Sequence, residues 1–332
     1  MKRKGLFIPL TIILVLFAVY MLGPTMPKPE MSNDLPAGIT NAAQAEELIL
    51  AGEAGITNIR PGNQSILVWS DDSLKTKTEY CLLYLHGFSA SPVEGNPVHV
   101  NFGKVLGMNV YVPRLAEHGL ITEDALLDMT PDNLWESSKD ALVIAKALGD
   151  KVIVMGTSTG GTLALALAAR FPDMVDGLIM FSPNVKIYDK TASLLGKPWG
   201  LQIARAVMGG DYRVLEPDEE TDPFWYNKYR VESLVYLQQL LDATMSAKEF
   251  AKVTQPVFVG YYYKDEEHQD NTVSTKAIEW MYENLGTSPE MKQIQAFPEA
   301  GAHVICNNLT SENWMDVLYA SIEFAKEKLK IE

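Results

Sequence analysis

Cysteine is scarce: the 332 residues contain two, Cys81 and Cys306. Neither falls in a CxxC or Cys/His spacing, so no thiolate metal site is expected, and the chain is not a small disulfide scaffold. Counting alone leaves one bridge between them open; their places in apolar stretches favour two buried thiols over a redox switch. Positive charge is also short, with 28 Lys and Arg against 42 Asp and Glu and a formal net charge of −14. The one basic block is Lys2-Arg3-Lys4, and a surface this acidic repels phosphate backbones, so nucleic acid is not an expected partner. Internal repeats and low-complexity tracts are absent. What is abundant is apolar: 47% of residues are hydrophobic and 9% aromatic, at a length that buries a sizeable core.

The N-terminus stands apart. An uncharged run over residues 6–22 follows the basic block, relieved by Pro9, Thr11 and the Tyr20 hydroxyl. It ends Val19-Tyr20-Met21-Leu22-Gly23-Pro24, without a small-residue cleavage site, and no cysteine follows closely enough for lipid attachment. Residues 1–23 are therefore expected to be a membrane anchor that contacts the bilayer through residues 5–23. The basic block places the N-terminus in the cytoplasm and the rest outside. Cleavage of the same segment as a signal would instead secrete the chain. Residues 24–45, with Pro24, Pro27, Pro29 and Pro36, read as a tether.

Beyond this, short β-branched and aromatic runs alternate with helix-period segments. The runs cover residues 65–69, 80–85, 109–112, 151–155, 177–181, 256–263 and 292–297. Several are almost continuously apolar, as strands buried on both faces of a parallel sheet are. The first two look like an antiparallel lead-in. Residues 132–148 carry apolar side chains at helical spacing between Thr130-Pro131 and Gly149. Residues 184–253 break the rhythm with no convincing strand and are expected to form a helical cap, leaving 46–183 and 254–332 as an α/β core.

Four loops carry chemistry. In Gly156-Thr157-Ser158-Thr159-Gly160-Gly161 a buried strand runs through G-x-S-x-G into a helix, and the two outer glycines allow the sharp turn that presents a serine at the sheet edge. Ser158 is the candidate nucleophile. In Tyr84-Leu85-His86-Gly87-Phe88 a strand ends in a tight turn, and the N–H groups of Phe88 and Thr159 are the candidate oxyanion hole. His86 reads as a brace of that turn. A serine needs a base, and His303, in the small-residue loop Ala300-Gly301-Ala302-His303, fits the chain order Ser, acid, His. His99, His118 and His268 have blander settings in a helix, a loop and an acidic surface stretch. The acid lies between Gly260 and Ser274: Asp265 has the right distance from the preceding strand, and Asp270, in Asp-x-x-Val-Ser, from the following helix. The pattern favours Asp270, with Asp265 as the alternative.

These stretches, with Val112-Pro113-Arg114-Leu115 and Glu117-His118-Gly119, resemble the α/β-hydrolase superfamily, in its branch of small carboxylesterases and bacterial monoacylglycerol lipases. The resemblance spans roughly residues 65–330. It implies the α/β-hydrolase fold, a Ser-His-Asp triad, and hydrolysis of a small-molecule carboxylic ester with no cofactor. The chain departs from that pattern at Thr159, where the branch often has methionine or glutamine, and in its longer acid loop. Thioester hydrolysis and acyl transfer would use the same residues, and a non-catalytic ligand receptor is the reading from another class. The aromatic group Phe224, Trp225, Tyr226 and Tyr229 is explained either as an acyl site or as cap packing. No protein partner is inferable.

Overall fold

The computed structural model describes residues 7–331; Lys2-Arg3-Lys4, Gly5 and Leu6 lie outside the described residues. Helix α1 (Phe7–Met21) is followed, after an irregular stretch, by α2 (Ala42–Ala54). Then β1 (Ile66–Val68), β2 (Thr78–Leu85), α3 (Val98–Val105), β3 (Asn109–Val112), α4 (Pro131–Leu148), β4 (Gly149–Thr157), α5 (Thr159–Arg170) and β5 (Gly177–Phe181) alternate. Residues 184–253, the expected cap, hold α6 (Gly200–Met208), β6 (Tyr212–Val214), β7 (Lys228–Arg230), α7 (Glu232–Thr244) and the one-turn α8 (Ala247–Phe250). The alternation resumes with β8 (Val257–Tyr261), α9 (Thr275–Glu283), β9 (Lys292–Ala296) and α10 (Trp314–Lys328).

Each of the seven strand-like runs in the sequence contributes one strand to a single sheet of order β1-β3-β2-β4-β5-β8-β9, parallel throughout except at β1. Because side chains alternate along a strand, the continuous runs feed two cores. Leu83, Val152, Val154, Leu178 and Val257 face one core together with Trp135 and Leu142 of α4 and Leu163 of α5. Leu82, Ile153, Met155, Ile179 and Phe258 face the other, with Phe102 of α3 and Phe324 of α10. Helices on both faces are what buries such strands. Helix α4 starts with reciprocal caps, Thr130 accepting from the Asn133 N–H at 3.1 Å and Asn133 from the Thr130 N–H at 2.8 Å.

Three expectations are corrected. β1 is antiparallel to the sheet, but its neighbour is β3 (Ile66 opposite Val112), since β3 and β4 already flank β2. The cap is not purely helical: β6 and β7 form an antiparallel ribbon with Tyr212 opposite Arg230, three residues per strand being too short to show a period. Finally, the membrane span expected over residues 5–23 is not supported, because no described helix is long and apolar enough to cross a membrane. Among the described residues α1 has 15 residues, about 22 Å of helix against a hydrocarbon core of about 30 Å. Its last turn closes at Gly23, and the cap takes up the chain there, Trp199 donating from Nε1 to the Val19 carbonyl (3.2 Å) and from its backbone N–H to the Pro24 carbonyl (2.9 Å).

The segment that follows runs along the domain as a strap. Asp132 Oδ1 accepts from the Glu30 and Met31 N–H groups at 2.9 and 2.7 Å. Trp135 Nε1 donates to the Ser32 carbonyl at 2.7 Å, Arg170 to the Met31 carbonyl at 2.9 Å, and Gln239 of α7 to the Met26 carbonyl at 3.3 Å.

Candidate active site

The C-terminal ends of β2, β4 and β8 and the loop after β9 converge at one edge of the sheet, where an open α/β sheet holds its ligands. β4 passes through Ser158 into α5 at φ 54°, ψ −118°, a conformation rare for a side-chain-bearing residue and costing about 1–3 kcal/mol. The surroundings hold it there: Ser158 N–H donates to the Phe181 carbonyl at 3.0 Å, and the Ser158 carbonyl accepts from Asn184 N–H at 3.0 Å. Gly160 must be glycine because a Cβ would run into the Leu85 carbonyl, and one on Gly156 would meet the Gly160 backbone. The strain has a use: it turns the serine side chain out of the sheet at the N-terminus of a helix.

The turn after β2 lies against this elbow. A Cβ on Gly87 would stand 3.1 Å from Ser158 Cβ and 2.8 Å from Glu94 Oε1. His86 and His118 brace the turn: Leu115 N–H donates to His86 Nε2 (3.1 Å) and Ser89 N–H to His118 Nε2 (3.2 Å). Burial keeps both rings neutral, His86 well below the ordinary histidine value and His118 down to about 4. Among the described residues Phe88 N–H has no acceptor, and Thr159, as the first residue of α5, has no intrahelical one. The cap closes over the turn, Tyr229 packing edge-on against Phe88 with ring centroids 5.1 Å apart and Tyr226 N–H donating to the Ser89 carbonyl at 2.8 Å.

His303 reaches the same edge from the loop after β9. Its Nδ1 lies 2.6 Å from Asp270 Oδ2, while Asp270 Oδ1 accepts from the Thr272 and Val273 N–H groups at 2.8 and 3.0 Å. Burial opposes charge on both partners, but the Asp270 charge and hydrogen bond, with the charge of Glu94, outweigh it and lift the His303 pKa above the ordinary value. Burial likewise works against the Asp270 carboxylate, and His303 with the two amides still holds its pKa below the usual range. His303 Nε2 is buried without a partner among the described residues; it is not hydrogen-bonded to Ser158, a link that often tightens only in the substrate complex. Asp265 does not join this group. It pairs with His268 at 2.9 Å on the surface. Cys81 and Cys306 are buried free thiols, and Cys306 lies 3.3 Å from Thr157 Oγ1.

Glu94 is the site residue that sequence reasoning misses. It is 2% exposed, accepts from Gly87 N–H at 2.6 Å and lies 3.1 Å from the Tyr84 hydroxyl. A lone glutamate in a turn-like Val93-Glu94-Gly95 carries no motif.

The seven-stranded sheet, the helices on both faces and the strained serine between strand and helix define an α/β-hydrolase. More narrowly, the family model described as Hydrolase_4, serine aminopeptidase S33, matches residues 140–308, and the chain belongs to that family. It is 28% identical over 190 residues to a thermostable monoacylglycerol lipase of Bacillus sp. (strain H-257), covering 56% of this chain and 70% of the relative. Among solved structures, it superposes on one of the metagenome-derived lipolytic enzymes LipS and LipT with a TM-score of 0.62 at 18% identity, covering 81% of this chain and 99% of the other. The monoacylglycerol lipase of Paleococcus ferrophilus gives 0.58 at 16% identity, over 78% and 96%.

Proposed function

We propose that the protein is a serine hydrolase that cleaves carboxylic esters through an acyl-enzyme on Ser158. His303 Nε2 takes the proton of Ser158 Oγ as that oxygen attacks the carbonyl, and returns it to the departing alcohol; water then repeats the sequence to release the acid. Asp270 holds the ring with Nδ1 protonated and stabilises the imidazolium. The N–H groups of Phe88 and Thr159 stabilise the tetrahedral oxyanion. The observation that carries this reading is the strained Ser158 elbow set at the same sheet edge as the buried Asp270–His303 pair. The similarity to the Bacillus lipase supports a glycerol ester as substrate type, and we expect short to medium acyl chains.

A fluorophosphonate probe tests the reading. Covalent labelling and ester turnover that both vanish in Ser158→Ala support it; a folded wild-type protein that is neither labelled nor active refutes it and favours a ligand receptor. Turnover of thioesters, or acyl transfer in place of hydrolysis, would keep the residues and change the reaction named. A profile over acyl chain lengths settles the chain-length part, and strict preference for long-chain triglycerides would count against it.

A further inference from the structure

The proposed reaction leaves one buried ionisable group unused. Glu94 comes from the turn after β2, and its carboxyl group touches three elements of the site. Oε2 accepts from the Gly87 N–H at 2.6 Å, one residue before the Phe88 amide. The Tyr84 hydroxyl, within hydrogen-bond distance of Glu94 Oε2 (3.1 Å), is also 2.8 Å from Thr157 Oγ1, next to Ser158. The Trp225 indole of the cap lies near enough to the same carboxyl group to favour its charged form. The Glu94 main-chain carbonyl is held by Asn307 Nδ2 at 3.1 Å and approached by the Cys306 thiol at 3.7 Å, both on the loop that follows His303. A buried carboxyl group held this firmly beside the nucleophile has a place in the mechanism open to it.

We infer that Glu94 is a positioning residue: held by the Gly87 N–H and the Tyr84 hydroxyl, it fixes the turn carrying the Phe88 N–H against the Ser158 elbow, and its carboxylate supplies a second buried negative charge to the site beside that of Asp270. The groups facing Glu94 are the Tyr84 hydroxyl, the Trp225 indole, the Cys306 thiol and His303; those facing His303 are Asp270 and Glu94. Burial pushes the Glu94 pKa up to about 7, so its charge is present from neutral pH upward, where a hydrolytic base works. Stabilising the imidazolium lowers the barrier to proton removal from Ser158 but moves the loss of free base to higher pH.

This inference rests on the reading of the site above, so its test observes His303 directly. The imidazole of His303 is titrated by NMR in the full chain, wild type against Glu94→Gln, alongside the pH profile of kcat/KM. Glutamine keeps an acceptor for the Gly87 N–H and removes the charge. The His303 midpoint should fall by roughly half a unit to one unit, and the acid limb of kcat/KM should move to lower pH with it while KM changes little. A midpoint that stays put overturns the inference even if thermal stability changes, since a mere brace would not shift it. Should Glu94→Gln not fold, Tyr84→Phe takes its place: it removes a donor to the ionised Glu94, and the midpoint should fall by less but in the same direction. Failure of the hydrolase reading looks different, with wild-type Ser158 unlabelled and the His303 shift intact.

Discussion

Asp270 and His303, 33 positions apart in sequence, meet at 2.6 Å between Oδ2 and Nδ1, and the other carboxylate oxygen is held by two main-chain amides. Asn at 270 would present an amide where a carboxylate fixes the ring tautomer. Asp270→Asn should lower kcat on the order of 10⁴-fold with KM little changed, whereas Asp265→Asn, at a carboxylate bonded only within its own exposed turn to Glu267 and His268, should retain most activity. Steady-state kinetics on the two folded variants decides it; the reverse result would move the acid to Asp265.

His303, the proposed base, must be neutral to accept a proton, and its pKa in the folded protein lies above the ordinary histidine value of about 6.5. Activity should therefore be full on the alkaline side and fall as pH drops through a midpoint above 6.5, measured as kcat/KM against pH. A midpoint below 6.5 would mean that desolvation outweighs the carboxylates.

Glu94 also links stability to pH. An acid whose pKa rises from 4.5 in the unfolded chain to about 7 in the fold holds its proton in the native state after the unfolded chain has lost it. Its contribution thus becomes less favourable as pH rises from about 4.5 to about 7, by on the order of 3 kcal/mol. Chemical denaturation should show Glu94→Gln gaining on wild type between pH 4.5 and pH 8. No change in the gap would place the folded pKa near the unfolded one.

Two glycines should respond in opposite ways to alanine. Gly52 lies in α2 with nothing within 4 Å of an added Cβ, so Gly52→Ala should stabilise by about 0.5–1 kcal/mol. At Gly160 the same methyl meets the Leu85 and His86 carbonyls; Gly160→Ala should cost more than about 3 kcal/mol or prevent folding. Thermal melts of the two variants make the comparison.

The sheet was legible because its central strands are buried on both faces and read as unbroken apolar runs, while the half-buried edge strands β1 and β9 were placed by their β-branched and aromatic residues. Their order was less so, since β1 pairs with β3 by edge availability, which no local pattern records. The ribbon β6–β7 is too short to have a period. At the site, Ser158 and His303 stand in loops whose flanking residues mark them, and Asp270 and Asp265 differ only in which neighbouring element the distance is counted from. Glu94 was invisible because its importance comes from burial against Gly87 and Tyr84.

The strap over residues 24–34 couples parts that are far apart in the chain. It accepts hydrogen bonds from Trp199 and Gln239 in the cap at one end, and meets Asp132, Trp135 and Arg170 on the core at the other. A cap that swung away as a rigid lid would have to tear this lashing or carry it along. The opposite side of the cap is tied down as well, Arg230 to Asp124 at 3.0 Å and Arg60 to the Asp222 and Trp225 carbonyls at 3.1 and 3.2 Å, so the cap is laced to the core from both sides.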